Sequence, residues 1–461
     1  MTRLEPSGIY EGFVAGAKVG MLYKFFIKTK DGRGLYKADP FANYAEHRPG
    51  TASRITDITK LKWSDVAWME ARKQRDNDSL PVSIYEVHPG SWKKHPHGED
   101  EDGFYNYREL AKSLAEYVKE MGYTHVELMG IAEHPFDASW GYQVTGYYAP
   151  TSRYGTPEDF AYMVNYLHKQ KIGVILDWVP AHFPRDAHGL AEFDGGCVYE
   201  YADPKKGEHP EWGTKVFDFG KSEVKNFLIA NALYWVEHFH IDGLRVDAVA
   251  SILYLDYGRK DGWTPNMYGS NENLPAIEFL KHLNSIVKKR DPGALLIAQE
   301  DGLWPELTDS VENDHIGFDY KWSGGWTRDF LFYLSVDPIL RKNYHDQLTL
   351  STLYAYSEHY ILTLGNRDVG SLNEFMAKLP GDEKQKLAQV REAYSYMMVH
   401  PGCKMMAPGT DMPEGLAKCI QALNTLYKSS PALYQMDDEY DGFEWVQLMK
   451  YEENVITFLR K

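Results

Sequence analysis

The stretch Gly243-Leu244-Arg245-Val246-Asp247-Ala248-Val249 is a short apolar strand that ends in a charge and runs on into a helix. Val82 to His88, His125 to Met129, Gly173 to Asp177, Ala294 to Ala298, Tyr360 to Leu364 and Lys404 to Met406 read as strands of the same kind. Between them, apolar residues fall at helical spacing over Tyr107 to Met121 (closing at Gly122), Pro157 to Lys169, Val224 to His240, Leu274 to Lys289 and Lys386 to Met398. Strands alternating with helices predict a parallel sheet, because a parallel crossover needs a helix-length connection. About eight such units predict an α/β fold closed as a (β/α)8 TIM barrel. A doubly wound open sheet is the alternative, weakened by the lack of a Gly-rich phosphate turn after the first strand.

Outside the alternating region the period changes. From Ile9 to about Ile58 short alternating runs, such as Leu22-Tyr23-Lys24-Phe25-Phe26-Ile27, are separated by glycines and polar turns and predict a small β-sandwich or part of one. The polar stretch Glu70 to Asp78 reads as a connector, and from about Pro431 short strands return at Phe443 to Val446 and Val455 to Phe458. The expected domains are a β-sandwich over 1–65, a barrel over 66–429 and a short β segment over 430–461.

The chain has 461 residues, 43% of them hydrophobic, enough to bury one large core. Aromatics make up 14%, including 33 Tyr and 12 Trp, a composition that suits stacking on the flat C–H faces of sugars. A net charge of -16 argues against nucleic acid, whose affinity comes from clustered Lys and Arg. Three cysteines, Cys197, Cys403 and Cys419, form an odd set without metal spacing and predict reduced thiols in a cytoplasmic setting. No leader and no membrane-length apolar run is seen, so no membrane partner is expected.

In a barrel, reacting side chains project from the carboxyl ends of the strands. The polar residues fall there: Asp177 and His182 after the third strand, Arg245 and Asp247 at the fourth, Gln299 and Glu300 at the fifth, Asn366-Arg367-Asp368 after the seventh. Carboxylates at adjacent strand ends are the apparatus of glycoside chemistry.

These residues resemble the α-amylase family of glycoside hydrolases and transglycosidases, and within it the bacterial glycogen (1,4-α-glucan) branching enzymes, from about Gly8 to Lys461. Asp177-Trp178-Val179-Pro180-Ala181-His182 looks like the first conserved block of the family, and Gly243 through Ser251 is close to the branching-enzyme form of the second. Glu133-His134-Pro135, Ser139-Trp140-Gly141-Tyr142-Gln143, Tyr148 to Gly155, Asn271-Glu272-Asn273-Leu274 and Tyr85-Glu86-Val87-His88 fit as well. The resemblance implies a shortened starch- or glycogen-binding module before the barrel and the opening of a C-terminal β-domain after it. The loop after the eighth strand, Cys403 to Asp411, is nearly deleted before Leu416, where the family shapes the acceptor side of its cleft.

By resemblance, Asp247 is the nucleophile of retaining cleavage of an α-1,4 link, and Arg245, on the same strand face, holds it ionised. The family's acid/base falls on Gln299, an amide that cannot hand over a proton; Glu300 points to the opposite face of its strand. The third carboxylate falls on Asp368 by the pattern Asn-His-Asp, with Arg367 in the His place, or on Asn366 by register from Pro380-Gly381-Asp382; Asp368 is preferred because it keeps the charge. Tyr142 stacks on the sugar, Asp177 and His182 hydrogen-bond its hydroxyls, and Trp140 and Gln143 are further candidates. No metal or organic cofactor follows. The expected partner is an α-1,4-glucan such as glycogen, amylose or a maltooligosaccharide. The expectation is branching with impaired turnover; the alternatives are a non-catalytic glucan-binding relative and a hydrolase of the same family.

Overall fold

The computed structural model describes every residue except 5–8, 76–78, 97–101, 261 and 303. Eight parallel strands close on themselves: β1 (Ser83–Val87), β2 (His125–Leu128), β3 (Gly173–Trp178), β4 (Gly243–Val246), β5 (Leu295–Ala298), β6 (Tyr320–Trp322), β7 (Tyr360–Leu364) and β8 (Cys403–Met406), the last pairing with the first. Closure excludes the open doubly wound sheet. Around the strands run α1 (Tyr107–Met121), α2 (Pro157–Lys169), α3 (Ser222–His238), α4 (Leu274–Arg290), α5 (Gly324–Ser335), α6 (Glu383–Val399) and α7 (Glu414–Ser429).

Local signals set several of these bounds. Asn106 with Glu109, Thr156 with Asp159 and Asp382 with Gln385 form reciprocal capping boxes that start α1, α2 and α6, and Gly122 in a left-handed conformation (φ 84°) ends α1. The sixth strand is absent from the sequence reading. It is only Tyr320-Lys321-Trp322, and among the described residues between β5 and β6 a 3-10 turn, Val311–Asn313, stands in place of a helix.

Alternation along the strands sorts the barrel interior into layers. Ile84, Ile175, Leu295, Ile297, Tyr320, Ile361, Cys403 and Met405 belong to one buried apolar cluster. One pleat further along the same inward rows come Glu86 on β1, Asp177 on β3 and Arg245 on β4, all buried. The apolar layer therefore supports a polar layer at the carboxyl ends.

The opposite end is plugged by ionic bonds. The expected connector begins as a helix, Val66–Lys73, and its residues 76–78 lie outside the described set. Arg72 on that helix, with no exposed surface, donates to the carbonyls of His240 and Ile241 at 2.9 Å and pairs with Asp242 and Asp291. Polarity misled the connector reading because Arg72 is a buried charge with paired partners, the one setting in which burial is tolerated.

The amino-terminal segment is less sheet-like than expected. Among the described residues it holds three separate antiparallel ladders: Thr2–Leu4 with Ile9–Glu11, Leu22–Tyr23 with Ser53–Arg54, and Phe25–Lys28 with Gly34–Lys37. Ile9, Phe13 and Phe26 are exposed, while Phe25, Ile27 and Leu35, on the other face of the Phe26 hairpin, are half-buried. At the other end, Phe443–Lys450 and Val455–Arg460 make an antiparallel hairpin. No helix among the described residues is long and apolar enough to cross a membrane.

Candidate active site

A cleft of about 600 Å³ opens over the carboxyl ends of the strands, lined by Trp140, Tyr142, Gln143, His182, Arg245, Asp247, Gln299 and Asn366 among others. Of the residues expected at the site, Asp177 and Asp368 do not line it.

Asp177 lies one step behind the wall. Arg245 Nη1 donates to Asp177 Oδ1 at 2.5 Å and to Asp247 Oδ1 at 2.7 Å, so one guanidinium nitrogen spans the ends of β3 and β4. Tyr142 Oη donates to Asp177 Oδ2 at 2.7 Å, and the Arg245 guanidinium lies 4.3 Å from the Trp322 ring centre. Burial opposes the charge on Arg245, but Asp177, Tyr142 and Asp247 outweigh it and hold the guanidinium well above its usual value. Burial lifts the Asp177 carboxyl above the ordinary carboxylate range, against the pull of Arg245. The backbone carries strain here too: Ala248, directly after Asp247, has φ 49°, a left-handed conformation that a residue with a Cβ rarely adopts.

Gln299 sits against that turn. Its Oε1 accepts from the Ala248 amide at 2.8 Å and its Nε2 donates to Asp301 Oδ2 at 3.0 Å, while its carbonyl accepts from the Val249 amide at 2.9 Å. Arg367, also on the cleft wall, donates to the same Asp301 oxygen at 2.6 Å. Glu300 does not substitute: it is 1% exposed and paired with Lys321 on β6 at 2.8 Å. Among the described lining residues, Asp247 is the sole carboxylate.

After β7 the chain turns tightly against β1. The Asn366 amide donates to Glu86 Oε2 at 2.5 Å, and a Cβ at Gly365 would come within 2.7 Å of that same oxygen, so a side chain there would displace the Glu86 carboxyl. Asp368 folds back, its Oδ2 accepting from the Gly365 amide at 3.0 Å, and burial raises its carboxyl above the ordinary value. Asn366, not the preferred Asp368, thus faces the cleft.

Glu86 and Glu127 were absent from the expected site. Burial pushes the Glu86 carboxyl up to about 7, with the Asn366 amide and Arg245 opposing it and Asp368 and Asp177 adding to it. Glu127, with both side-chain oxygens unpartnered, is held well above the ordinary carboxylate range by burial. Burial thus shifts both carboxyls beneath the site toward their neutral forms. The inward row of β1, Ile84 then Glu86, was the signal available for one of them.

The remaining wall is aromatic. His182 packs against Trp212, with ring centres 5.0 Å apart; burial lowers the imidazole to about 4, so it is neutral at pH 7 with an unpartnered Nδ1. Gly141 (φ 92°) lies so close to Gly130 that a Cβ would sit 2.2 Å from its Cα, and this backbone contact sets Trp140 and Tyr142 on the cleft wall.

A closed parallel barrel with an Arg-bridged Asp pair at the ends of β3 and β4 defines an α-amylase-type barrel. Residues 106–194 match the family of the α-amylase catalytic domain. The chain is 52% identical over its whole length to the 1,4-α-glucan branching enzyme GlgB of Butyrivibrio fibrisolvens, covering 76% of that protein. It is 49% identical over 99% of its length to the enzyme of the same name from Protochlamydia amoebophila, covering 65% of it. The chain belongs to the 1,4-α-glucan branching enzyme GlgB family. It spans about two-thirds to three-quarters of the length of these relatives. Among solved structures, pullulanase from Paenibacillus barengoltzii, crystallised with maltohexaose and α-cyclodextrin, superposes with a TM-score of 0.65 over 92% of this chain and 74% of that one at 16% identity, a likeness of fold.

Proposed function

We propose that this chain is a branching-enzyme-type glucan transferase of glycogen biosynthesis whose turnover is impaired at the proton-transfer step. The observation that carries this reading is that Asp247 is the single carboxylate among the described residues lining the cleft. A retaining glucan transferase attacks the anomeric carbon with one carboxylate while a second carboxylic acid protonates the leaving oxygen and later deprotonates the acceptor hydroxyl. Asp247, steadied by Arg245 at 2.7 Å, fills the first role. Gln299 fills the second position in shape only: its Nε2 hydrogen-bonds an oxygen but releases no proton. General acid/base catalysis contributes roughly 10²–10⁴-fold, and that factor is forfeited.

Binding does not depend on that proton. Tyr142 presents an aromatic face to an α-1,4-glucan, neutral His182 and Arg245 present polar atoms to its hydroxyls, and Trp140, Gln143 and Asn366 complete the wall. Asn366 in place of a third carboxylate favours the stricter reading, a glucan-binding relative without catalysis. An iodine-spectrum branching assay beside a glycogen pull-down on the same sample tests both: binding with a spectral change far slower than in an acid-bearing relative supports impaired transfer, binding with none supports the stricter reading, and no binding overturns both. Release of reducing sugar would instead mark a hydrolase.

The same reading takes residues 1–65 as a shortened glucan-binding module, 66–429 as the catalytic barrel and 430–461 as part of a C-terminal β-domain. The bracketing of the barrel by helix Val66–Lys73 and α7 supports those bounds. A cytoplasmic location is supported by the odd set of three cysteines, Cys197, Cys403 and Cys419, whose spacing suits neither a disulfide framework nor a metal.

A further inference from the structure

Hydrogen bonds hold the Arg245 guanidinium at one corner only. An arginine commonly meets a carboxylate through two parallel N–H bonds, which fix its plane as well as its place. Here Nη1 serves both Asp177 and Asp247, at 2.5 and 2.7 Å, while Nε is buried without a partner. Bonds through a single nitrogen leave the group free to tilt about the line joining the two carboxylate oxygens.

What limits that tilt is the ring of Trp322. Its centre lies 4.3 Å from the guanidinium carbon, well inside the ~6 Å over which a cation is drawn to a ring face, whereas the Tyr142 ring centre, at 6.0 Å, stands at that limit. Trp322 is buried in one apolar cluster with Tyr320 and Ile361, so the contact is desolvated, the setting in which it is strongest. Backbone pairing places the ring: Trp322 lies opposite Ile361 of β7, and the Ser323 amide donates to the Ile361 carbonyl at 2.9 Å. The indole Nε1 has no partner, so what this side chain offers its surroundings is its face. Trp322 does not line the cleft and reaches a bound sugar only through Arg245. A tilt would cost Asp247 more than Asp177, because Asp177 keeps a second donor in Tyr142 Oη at 2.7 Å.

We propose that Trp322 is a positioning residue for glucan transfer: its ring face holds the guanidinium in the plane from which Nη1 reaches Asp247, and so keeps the nucleophile aimed at the anomeric carbon. The proposal rests on the glucan reading above, with Asp247 as nucleophile.

α-Maltotriosyl fluoride isolates the step in the full chain. One Asp247 carboxylate oxygen attacks the anomeric carbon, the C–F bond breaks and fluoride leaves with its electron pair, so one glycosyl ester forms per fluoride and no proton from position 299 is needed. Fluoride release is followed with an ion-selective electrode and the ester by intact mass. Trp322→Met removes the ring face and Trp322→Phe keeps one; both are smaller than the indole, so a purely structural role would move both alike. The Met chain is expected to release fluoride about tenfold more slowly at saturating donor, with the half-saturating concentration within about twofold, and the Phe chain to stay within about threefold of the unaltered rate. Trp322→Leu makes the same comparison if thermal melting shows the Met chain unfolded. Equal slowing in the Met and Phe chains, or none in either, while the unaltered chain reacts, overturns the role of Trp322 and leaves the glucan reading standing. If the unaltered chain releases fluoride no faster than Asp247→Ala, the nucleophile reading falls and the role of Trp322 with it.

Discussion

Arg367 Nη2 donates to Asp301 Oδ2 at 2.6 Å, joining the loop after β7 to the loop after β5 beside Gln299. The pair looks like a brace, yet its side chains are 52% and 44% exposed, and exposed ion pairs contribute about 0–1 kcal/mol. Arg245 and Asp177 are also paired, but at 1% and 2% exposure, where loss of one partner strands the other charge. Arg367→Ala is expected to shift the melting temperature by less than about 3 °C, whereas Arg245→Met should cost about 3–5 kcal/mol. Comparable losses in thermal melts would mean that the exposed pair carries the loop.

Gln299→Glu places a second carboxyl on the cleft wall. In that variant the Nε2 donation to Asp301 is replaced by two carboxylates facing each other, which raises the pKa of one of them, the condition a general acid needs. Branching of a linear α-1,4-glucan, followed by the iodine spectrum, should rise about a hundredfold or more over the unaltered chain. Equal rates would show that proton transfer is not what limits this cleft.

The barrel was legible because its strongest signals are local. Capping residues before α1, α2 and α6, and charged residues at strand ends, fix elements without knowledge of tertiary contacts. β6 was not legible, since three residues with Lys321 in the middle show no periodicity; Lys321 is buried only because Glu300 lies 2.8 Å away. Asp247, Gln299 and Tyr142 lie on the cleft wall, and their positions follow from strand ends and from the block around Gly141. Glu86, Glu127 and Asp301 matter through what lies across the barrel from them, and linear order does not carry that. The choice between Asn366 and Asp368 turns on a tight loop closed by Glu86, some 280 positions away.

Glu86 gives the fold a pH dependence of definite sign. Its carboxyl ordinarily titrates near 4.5 and is lifted to about 7 in the folded chain, chiefly by burial. A raised folded-state value means the contribution is fully present below about 4.5 and is lost as pH rises through about 7. Glu86→Gln keeps an oxygen to accept from the Asn366 amide and removes the titration. The unaltered chain should therefore lose on the order of 1–3 kcal/mol relative to the variant between pH 5 and 8 in denaturant melts. Parallel pH profiles for the two would place the proton elsewhere.

Asn366 and Asp368 compete for the role of third carboxylate, and their surroundings separate them. Asp368 Oδ2 accepts from the Gly365 amide at 3.0 Å, and an asparagine oxygen can accept that bond equally well. Asp368→Asn should then leave the fold and the branching rate within about twofold, because no charge facing the cleft is removed. Asn366→Asp keeps the backbone N–H that Glu86 accepts at 2.5 Å and puts a new charge on the cleft wall, where an oxocarbenium-like transition state develops positive charge. Built on Gln299→Glu, it should raise branching by a further tenfold or so, a gain of about 1.4 kcal/mol in transition-state stabilisation. The two substitutions should be measured in the same Gln299→Glu chain by the iodine spectrum. Loss of activity on Asp368→Asn, with no gain on Asn366→Asp, would return the role to Asp368 and require the loop after β7 to reopen when glucan binds.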